Sequence, residues 1–230
     1  MAMKVNLVRR AEIGVERRRR TRAGMLRAGF HLIGQEHGRF QRIEDICAEA
    51  SVSRGTFYNY FSGLEDFYGA LSFELSSDFE VAVEKQMQRL TTVSARTGAA
   101  IRYHLHAARQ NPHWGWAMLH TSIDKEIFGP EAAKRVKTTI QEGIDSGEFH
   151  VANAEAGKSL LLGASLGATL DILYRRARKD YPEDVAFSIL TGLGVTKSRA
   201  GAIVRSALPE LEPIMDADES SPVNFWSEEV

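Results

Sequence analysis

Apolar residues recur along this chain at spacings of three and four, and alternating apolar-polar runs are scarce, so the pattern predicts amphipathic helices and few strands. Leu26, Phe30 and Ile33 fall at i, i+4 and i+7 and predict a helix over about residues 21–35, ended near Gly38. Ile43, Ile46, Cys47 and Ala50 give a short helix over 43–50 with one apolar face. After a break at 51–53, in which Ser53 is a natural N-cap, a third helix is expected over 54–61 and is stopped by Ser62 and Gly63. Phe67, Leu71, Leu75, Phe79, Val83 and Met87 then recur every four residues, the stripe of one long helix starting near Leu64. Further helices are expected near 95–110, 113–127, 130–146, 154–179 and 183–207, separated by Pro- and Gly-bearing turns. The prediction is an all-α chain of about nine helices.

On a wheel of 100° per residue the 54–61 helix divides by face. Phe57 and Phe61 share one side and can dock on Leu26, Ile43 and Ile46, while Gly55, Thr56, Tyr58 and Asn59 spread over the other. Two short helices joined by a tight turn behind a third helix are the parts of a helix-turn-helix unit, whose second helix enters the major groove of DNA. Each exposed group has a use there. Arg54 can fork onto guanine O6 and N7, Gly55 lets backbone approach the groove, and the Thr56 methyl can touch a thymine. Tyr58 and Tyr60 carry a hydroxyl on a rigid reach suited to phosphate oxygens.

Charge sharpens this picture. The 230 residues have a net charge of −1, but residues 1–60 hold twelve Lys or Arg against six Asp or Glu, leaving 17 basic and 24 acidic residues of the chain's 29 and 30 for the remainder. A basic front on an acidic body suits a chain whose front meets a polyanion. Arg17, Arg18, Arg19, Arg20 and Arg22 in VERRRRTR form a basic run directly ahead of the motif, expected to track phosphates or reach a minor groove.

The residues 21–68, TRAGMLRAGFHLIGQEHGRFQRIEDICAEASVSRGTFYNYFSGLEDFY, resemble the DNA-binding domain of TetR-family transcriptional repressors, with VSRGT followed by FYNYF as the most specific part. The resemblance implies that Arg54, Gly55, Thr56 and Tyr58 face the groove, with Ser53 and Tyr60 on the backbone. It implies a homodimer on a near-palindromic operator, and a helical C-terminal domain whose small-molecule ligand releases DNA. By the same resemblance, the last two long helices pair with those of the partner chain, with Gly163, Leu166, Gly167 and Leu170 at the crossing. Two positions depart from the family pattern. Leu64 stands where a phosphate-contacting lysine is usual, and Gln41 and Arg42 stand where threonines usually open the second helix, so that Arg42 offers a phosphate contact but no hydroxyl cap.

The expected division is therefore a flexible basic arm over 1–20, a helix-turn-helix domain over 21–66, a ligand-binding and dimerisation domain over 67–208, and an acidic disordered tail over 209–230, which has seven acids and no Lys or Arg. In the body, HLHAARQNPHWGWAMLH at 104–120 concentrates four histidines and two tryptophans. Phe79, His113, Trp114, Trp116, Met118 and Phe128 are the candidate wall of an apolar cavity for a hydrophobic or aromatic effector. No metal spacing, phosphate loop or nucleophile elbow is present, so no cofactor, metal or catalytic residue is expected. The other reading, a helical enzyme or carrier with an incidental basic front, requires an acid or nucleophile beside these histidines. The single Cys47 cannot form an intrachain disulfide, no signal peptide is evident, and the apolar run at 159–173 is short of the roughly 18 residues of a span, so a cytoplasmic protein without a membrane segment is expected.

Overall fold

A computed structural model describes residues 2–122 and 128–211. Ten α-helices and one 3-10 turn are present among them, and no strand. They run α1 Ala2–Ile33, the turn Gly38–Phe40, α2 Ile43–Glu49, α3 Arg54–Tyr58, α4 Leu64–Met87, α5 Val93–Gln110, α6 Pro112–Thr121, α7 Gly129–Asp145, α8 Ala154–Leu173, α9 Tyr181–Gly192 and α10 Lys197–Arg205.

The basic run is not a loose arm. It is helical and continuous with the first helix, which makes α1 32 residues long. Arginine and glutamate are good helix formers, and Glu16 supports the turn by pairing with Arg20 at 2.8 Å and Arg19 at 3.8 Å. The helix expected over 54–61 spans only Arg54–Tyr58. The segment expected as one helix over 183–207 is two, because Gly194 adopts φ +91° between Leu193 and Val195. A Cβ there would meet the His150 backbone, so the turn is closed to larger residues. The helix read as reaching 179 ends at Leu173, and Arg175 turns the chain away with φ +56°. The tail beyond residue 211 and the end of the helix expected over 113–127 lie outside the described residues.

One apolar cluster joins the front of the chain to its body. Leu26, Ile33, Ile46, Phe57 and Phe61 share it with Phe67, Leu71 and Leu75 along α4 and with Trp114 on α6. A second cluster, built around Ile101, Leu105, Ile140, Ile172 and Leu190, fills the space among α5, α7, α8 and α9. The predicted boundary at 66/67 thus falls inside α4, which starts in the small unit and runs into the large one. By length and mean hydropathy of 1.2, α8 is apolar enough to cross a bilayer, longer than the sequence run suggested, and in the fold it packs on α5, α7 and α9.

Candidate nucleic-acid interface and effector cavity

Ser53 caps α3 by accepting from the Thr56 amide at 3.0 Å, and its Oγ lies 2.9 Å from Thr56 Oγ1. The cap starts a helix whose inner side is sealed by rings. Phe57 is fully buried and Phe61 nearly so, with ring centroids 5.4 Å apart, and Phe67 packs on both at 5.6 and 5.0 Å. The outer side carries Arg54, Gly55, Thr56, Tyr58 and Asn59, with Tyr58 49% exposed. Gly55 has open space around it apart from Ser53 Oγ at 3.7 Å, so nothing inside the chain requires a glycine there.

Internal contacts hold several of these groups. Arg54 pairs with Glu44 on α2 at 2.8 Å and lies within hydrogen-bonding reach of Tyr58. Arg18 donates to the Asn59 carbonyl at 3.1 Å and stacks over the half-buried Tyr60 ring at 5.1 Å. Arg22 pairs with Glu74 on α4 at 3.0 Å and lies 5.8 Å from the Phe61 ring. Two of the five run arginines therefore brace α1 against α3 and α4, whereas Arg17, Arg19 and Arg20 are exposed. Sequence reading missed this because the partners lie 41 and 52 residues away.

The two departures from the family pattern resolve differently. The Arg42 amide donates to Asp45 at 2.8 Å, so a carboxylate three residues on caps α2 where a hydroxyl is missing. The Arg42 guanidinium lies on the same carboxylate at 3.3 Å, and the pairing holds Asp45 below the usual carboxylate range. Leu64 packs, half-buried, against the apolar cluster.

In the body a cavity of about 1350 Å³ opens between α4, α5, α6, α7 and α8. Of the predicted wall, Trp114, Met118 and Phe128 line it, and Phe79, His113 and Trp116 do not. Phe79 is buried behind the wall, 5.0 Å from the rings of Trp114 and His104. Trp116 faces α8, with Leu119 and Leu173 and the half-buried Leu166 and Leu170, and packs on His120 and Tyr174. An apolar residue on this many-helix body has several neighbours on offer, and spacing alone does not choose among them.

The cavity also contains a polar cluster that the sequence did not reveal. Glu80 on α4 meets His104 on α5 at 3.1 Å and Arg135 on α7 at 3.1 Å. His104 places its other nitrogen 2.8 Å from the Ala100 carbonyl. Both ring nitrogens thus face acceptors, which requires both to carry protons. Burial pulls the His104 imidazole down, and the Glu80 charge and hydrogen bond and the Ala100 carbonyl outweigh it, raising it above the ordinary histidine value. Burial pushes Glu80 up, and the His104 charge and hydrogen bond, with Arg135, bring it below the ordinary glutamate value. His106 likewise meets Glu183 at 2.9 Å. Histidines without an acid in sequence therefore have one in space.

His113 and His120 do something else. His113 donates to the Phe30 carbonyl at 3.1 Å, and His120 donates to the Ile33 carbonyl at 2.8 Å, so α6 is bolted to the last turn of α1. Burial lowers both below the ordinary histidine value despite these bonds, which fits neutral rings with one N–H each. Gly34 sits where a Cβ would strike the His113 ring, so the two helices meet at van der Waals distance. No group of three His, Cys, Asp or Glu able to hold a metal occurs among the described residues.

On the outer side of α8, Gly163 and Gly167 are exposed with nothing within 4 Å of an added Cβ. Leu160 and Tyr174, 40% and 42% exposed, continue the same stripe, and an apolar groove runs beside it between Leu160, Ala164, Val185 and Ile189.

A family model described as the tetracyclin repressor-like C-terminal domain matches residues 95–206. No curated protein sequence matches the chain. Among solved structures, RolR in complex with resorcinol superposes with a TM-score of 0.65 at 20% identity, covering 86% of this chain and 100% of that one. FadR from Bacillus subtilis in complex with stearoyl-CoA gives 0.57 at 17% identity, covering 74% and 96%. The regulator TylP from Streptomyces fradiae gives 0.52 at 14% identity, covering 80% and 96%. At these identities the likeness is one of fold. Residues 95–206 are thus similar to a tetracyclin repressor-like C-terminal domain, and they follow a helix-turn-helix unit in the same chain.

Proposed function

We propose that the chain is a cytoplasmic DNA-binding transcriptional regulator, a repressor that holds a near-palindromic operator as a homodimer and is released by a small molecule. The observation that carries this reading is the two-faced α3: a buried Phe57 and Phe61 anchor, and an outer face of Arg54, Gly55, Thr56, Tyr58 and Asn59 suited to a major groove. The open glycines and apolar stripe of α8, with the groove against α9, support pairing with a second copy. In such a dimer the two α3 helices enter successive major grooves about 34–36 Å apart.

The cavity supports an effector site, and the fold neighbours solved with resorcinol and with stearoyl-CoA bind small organic ligands in the same architecture. The route from cavity to DNA is short. His120 lines the cavity and donates to α1, and α4 runs from the cavity wall into the head. A ligand that fits better when α6 is displaced shifts the population toward a state in which α1 and the reading heads are no longer spaced for DNA.

The enzyme reading gains one observation, the His104–Glu80 pair on the cavity wall. With both nitrogens of His104 given to acceptors, the ring has no lone pair to act as a general base. The test is selection of operator DNA from a random library by the purified chain, followed by fluorescence anisotropy at several salt concentrations. Specific binding that weakens steeply with salt is expected, and a chain that enriches no sequence is not an operator-binding regulator.

A further inference from the structure

Two side chains that line the cavity end on the connector between α1 and α2, one at each end of it. The connector is residues 34–42, with the 3-10 turn Gly38–Phe40 in its middle, and that turn packs on α6. At its start, His120 of α6 donates to the Ile33 carbonyl at 2.8 Å. Gly38 closes on the same carbonyl, since a Cβ there would lie 2.4 Å from the Leu32 oxygen and 2.6 Å from the Ile33 oxygen. Arg39 lies near enough for its charge to add to the burial that holds the His120 ring below the ordinary histidine value. At the far end, the half-buried Tyr68 of α4 donates its hydroxyl to the Gln41 carbonyl at 3.3 Å. Burial, and then the charge of Asp45 on α2, raise this phenol above the ordinary tyrosine value, so it keeps the proton that makes the bond.

The connector leads straight into the reading head. Gln41 adjoins Arg42, whose amide is satisfied by Asp45 at the start of α2, and Glu44 in the same turn holds Arg54 of α3. Ile46 of α2 and Phe57 of α3 are fully buried in one apolar cluster, and a close-packed pair of short helices shifts as a unit. Both ends of the connector are open to a guest. The Tyr68 bond is long for a hydroxyl donor, so an acceptor on the guest can take its proton. His120 leaves Ile33 when a guest pushes α6 outward.

We propose that the connector 34–42 is the relay from cavity to DNA: Tyr68 and His120 clasp its two ends in the DNA-binding state, and an effector that takes either side chain releases it. Release tilts α2 and α3 against α1 within one chain, a change separate from any change in spacing between the two heads of a dimer. The head stays folded meanwhile, because the apolar cluster and the His31–Glu49 contact at 2.9 Å keep α2 on α1. This rests on the reading of the chain as an operator-binding regulator with its effector in the cavity.

The test removes each clasp from the 230-residue chain without any compound present. Tyr68→Phe keeps the ring and loses only the hydroxyl, and His120→Phe keeps a ring and loses the N–H. Amide hydrogen exchange followed by mass spectrometry is expected to quicken over residues 34–49 by about threefold in Tyr68→Phe and about fivefold in His120→Phe, with α8 and α9 exchanging as in the parent. Operator binding, read by fluorescence anisotropy, is expected to weaken by about threefold or more in each, at an unchanged melting temperature for Tyr68→Phe. Exchange over 34–49 that matches the parent overturns the proposal, as does quickened exchange with operator affinity unchanged. Exchange that quickens throughout the chain, with a lower melting temperature, makes the two groups structural supports and also overturns it. Tyr68→Phe decides the matter alone if His120→Phe does not fold. A parent chain that binds no operator counts against the regulator reading, and the exchange pattern then still shows whether the clasp exists.

Discussion

The two faces of α3 make opposite demands on mutation, and the contrast tests the assignment. Phe57 is fully buried and touches the rings of Phe61 and Phe67, so Phe57→Ala leaves a cavity costing about 3–5 kcal/mol. At about 2–4 °C per kcal/mol for a chain of this size, the melting temperature should fall by roughly 6–20 °C. Arg54 is exposed and its internal partner is the equally exposed Glu44, so Arg54→Ala should leave the melt nearly unchanged. If Arg54 reads a guanine, the same substitution weakens operator binding by about tenfold or more. Tyr58→Phe, which removes one hydroxyl from a half-exposed ring, should weaken binding by a few-fold with no change in melt. Circular dichroism melts and fluorescence anisotropy on the three variants give both readouts. The reasoning fails if Phe57→Ala melts with the parent, or if Arg54→Ala and Tyr58→Phe bind operator as the parent does.

Glu44 holds Arg54 in the absence of DNA, so Glu44→Gln should tighten operator binding by a few-fold, measured by anisotropy at low salt. Gly167 has open space around it inside the chain, so Gly167→Leu should keep the melt of the monomer unit while sedimentation equilibrium shows loss of the dimer. His113 and His120 have folded values below the ordinary one, so their contribution is complete above about pH 6.5 and is lost as pH falls from there through the folded values. Melts of the parent at pH 7.5 and pH 5 should therefore differ more than those of His113→Phe/His120→Phe. Glu148 clamps the start of α5 by accepting from the Val93 and Ser94 amides at 3.0 and 3.2 Å and from Arg199 at 2.6 Å. Burial pushes it up, but these bonds and that of the Ser94 hydroxyl bring it below the ordinary value, so its stabilisation is present above about pH 4.3 and lost below. Glu148→Gln should flatten the fall in melting temperature between pH 5 and pH 3.

The helices, the apolar side of α3 and the Ser53 cap were legible in the sequence, because each depends on residues within one or two turns: Phe57 with Phe61, Ser53 with Thr56, the four-residue stripe of α4. Local spacing also marked the outer face of α3 and the small residues of α8. It did not separate α9 from α10, because the break is a single positive φ at Gly194 between apolar residues that keep the helical spacing. Tertiary structure alone decided which long side chains are spent inside the chain. Arg18 and Arg22 look like part of a solvated basic run until α3 and α4 fold against them. The Glu80, His104 and Arg135 cluster is assembled from three helices, and His113 leaves the predicted pocket because the end of α1 offers it a carbonyl. The physical reason is range. A helix and its cap are satisfied by neighbours in sequence, whereas a buried charge or ring N–H must find its partner wherever packing brings one, and no spacing rule records that choice.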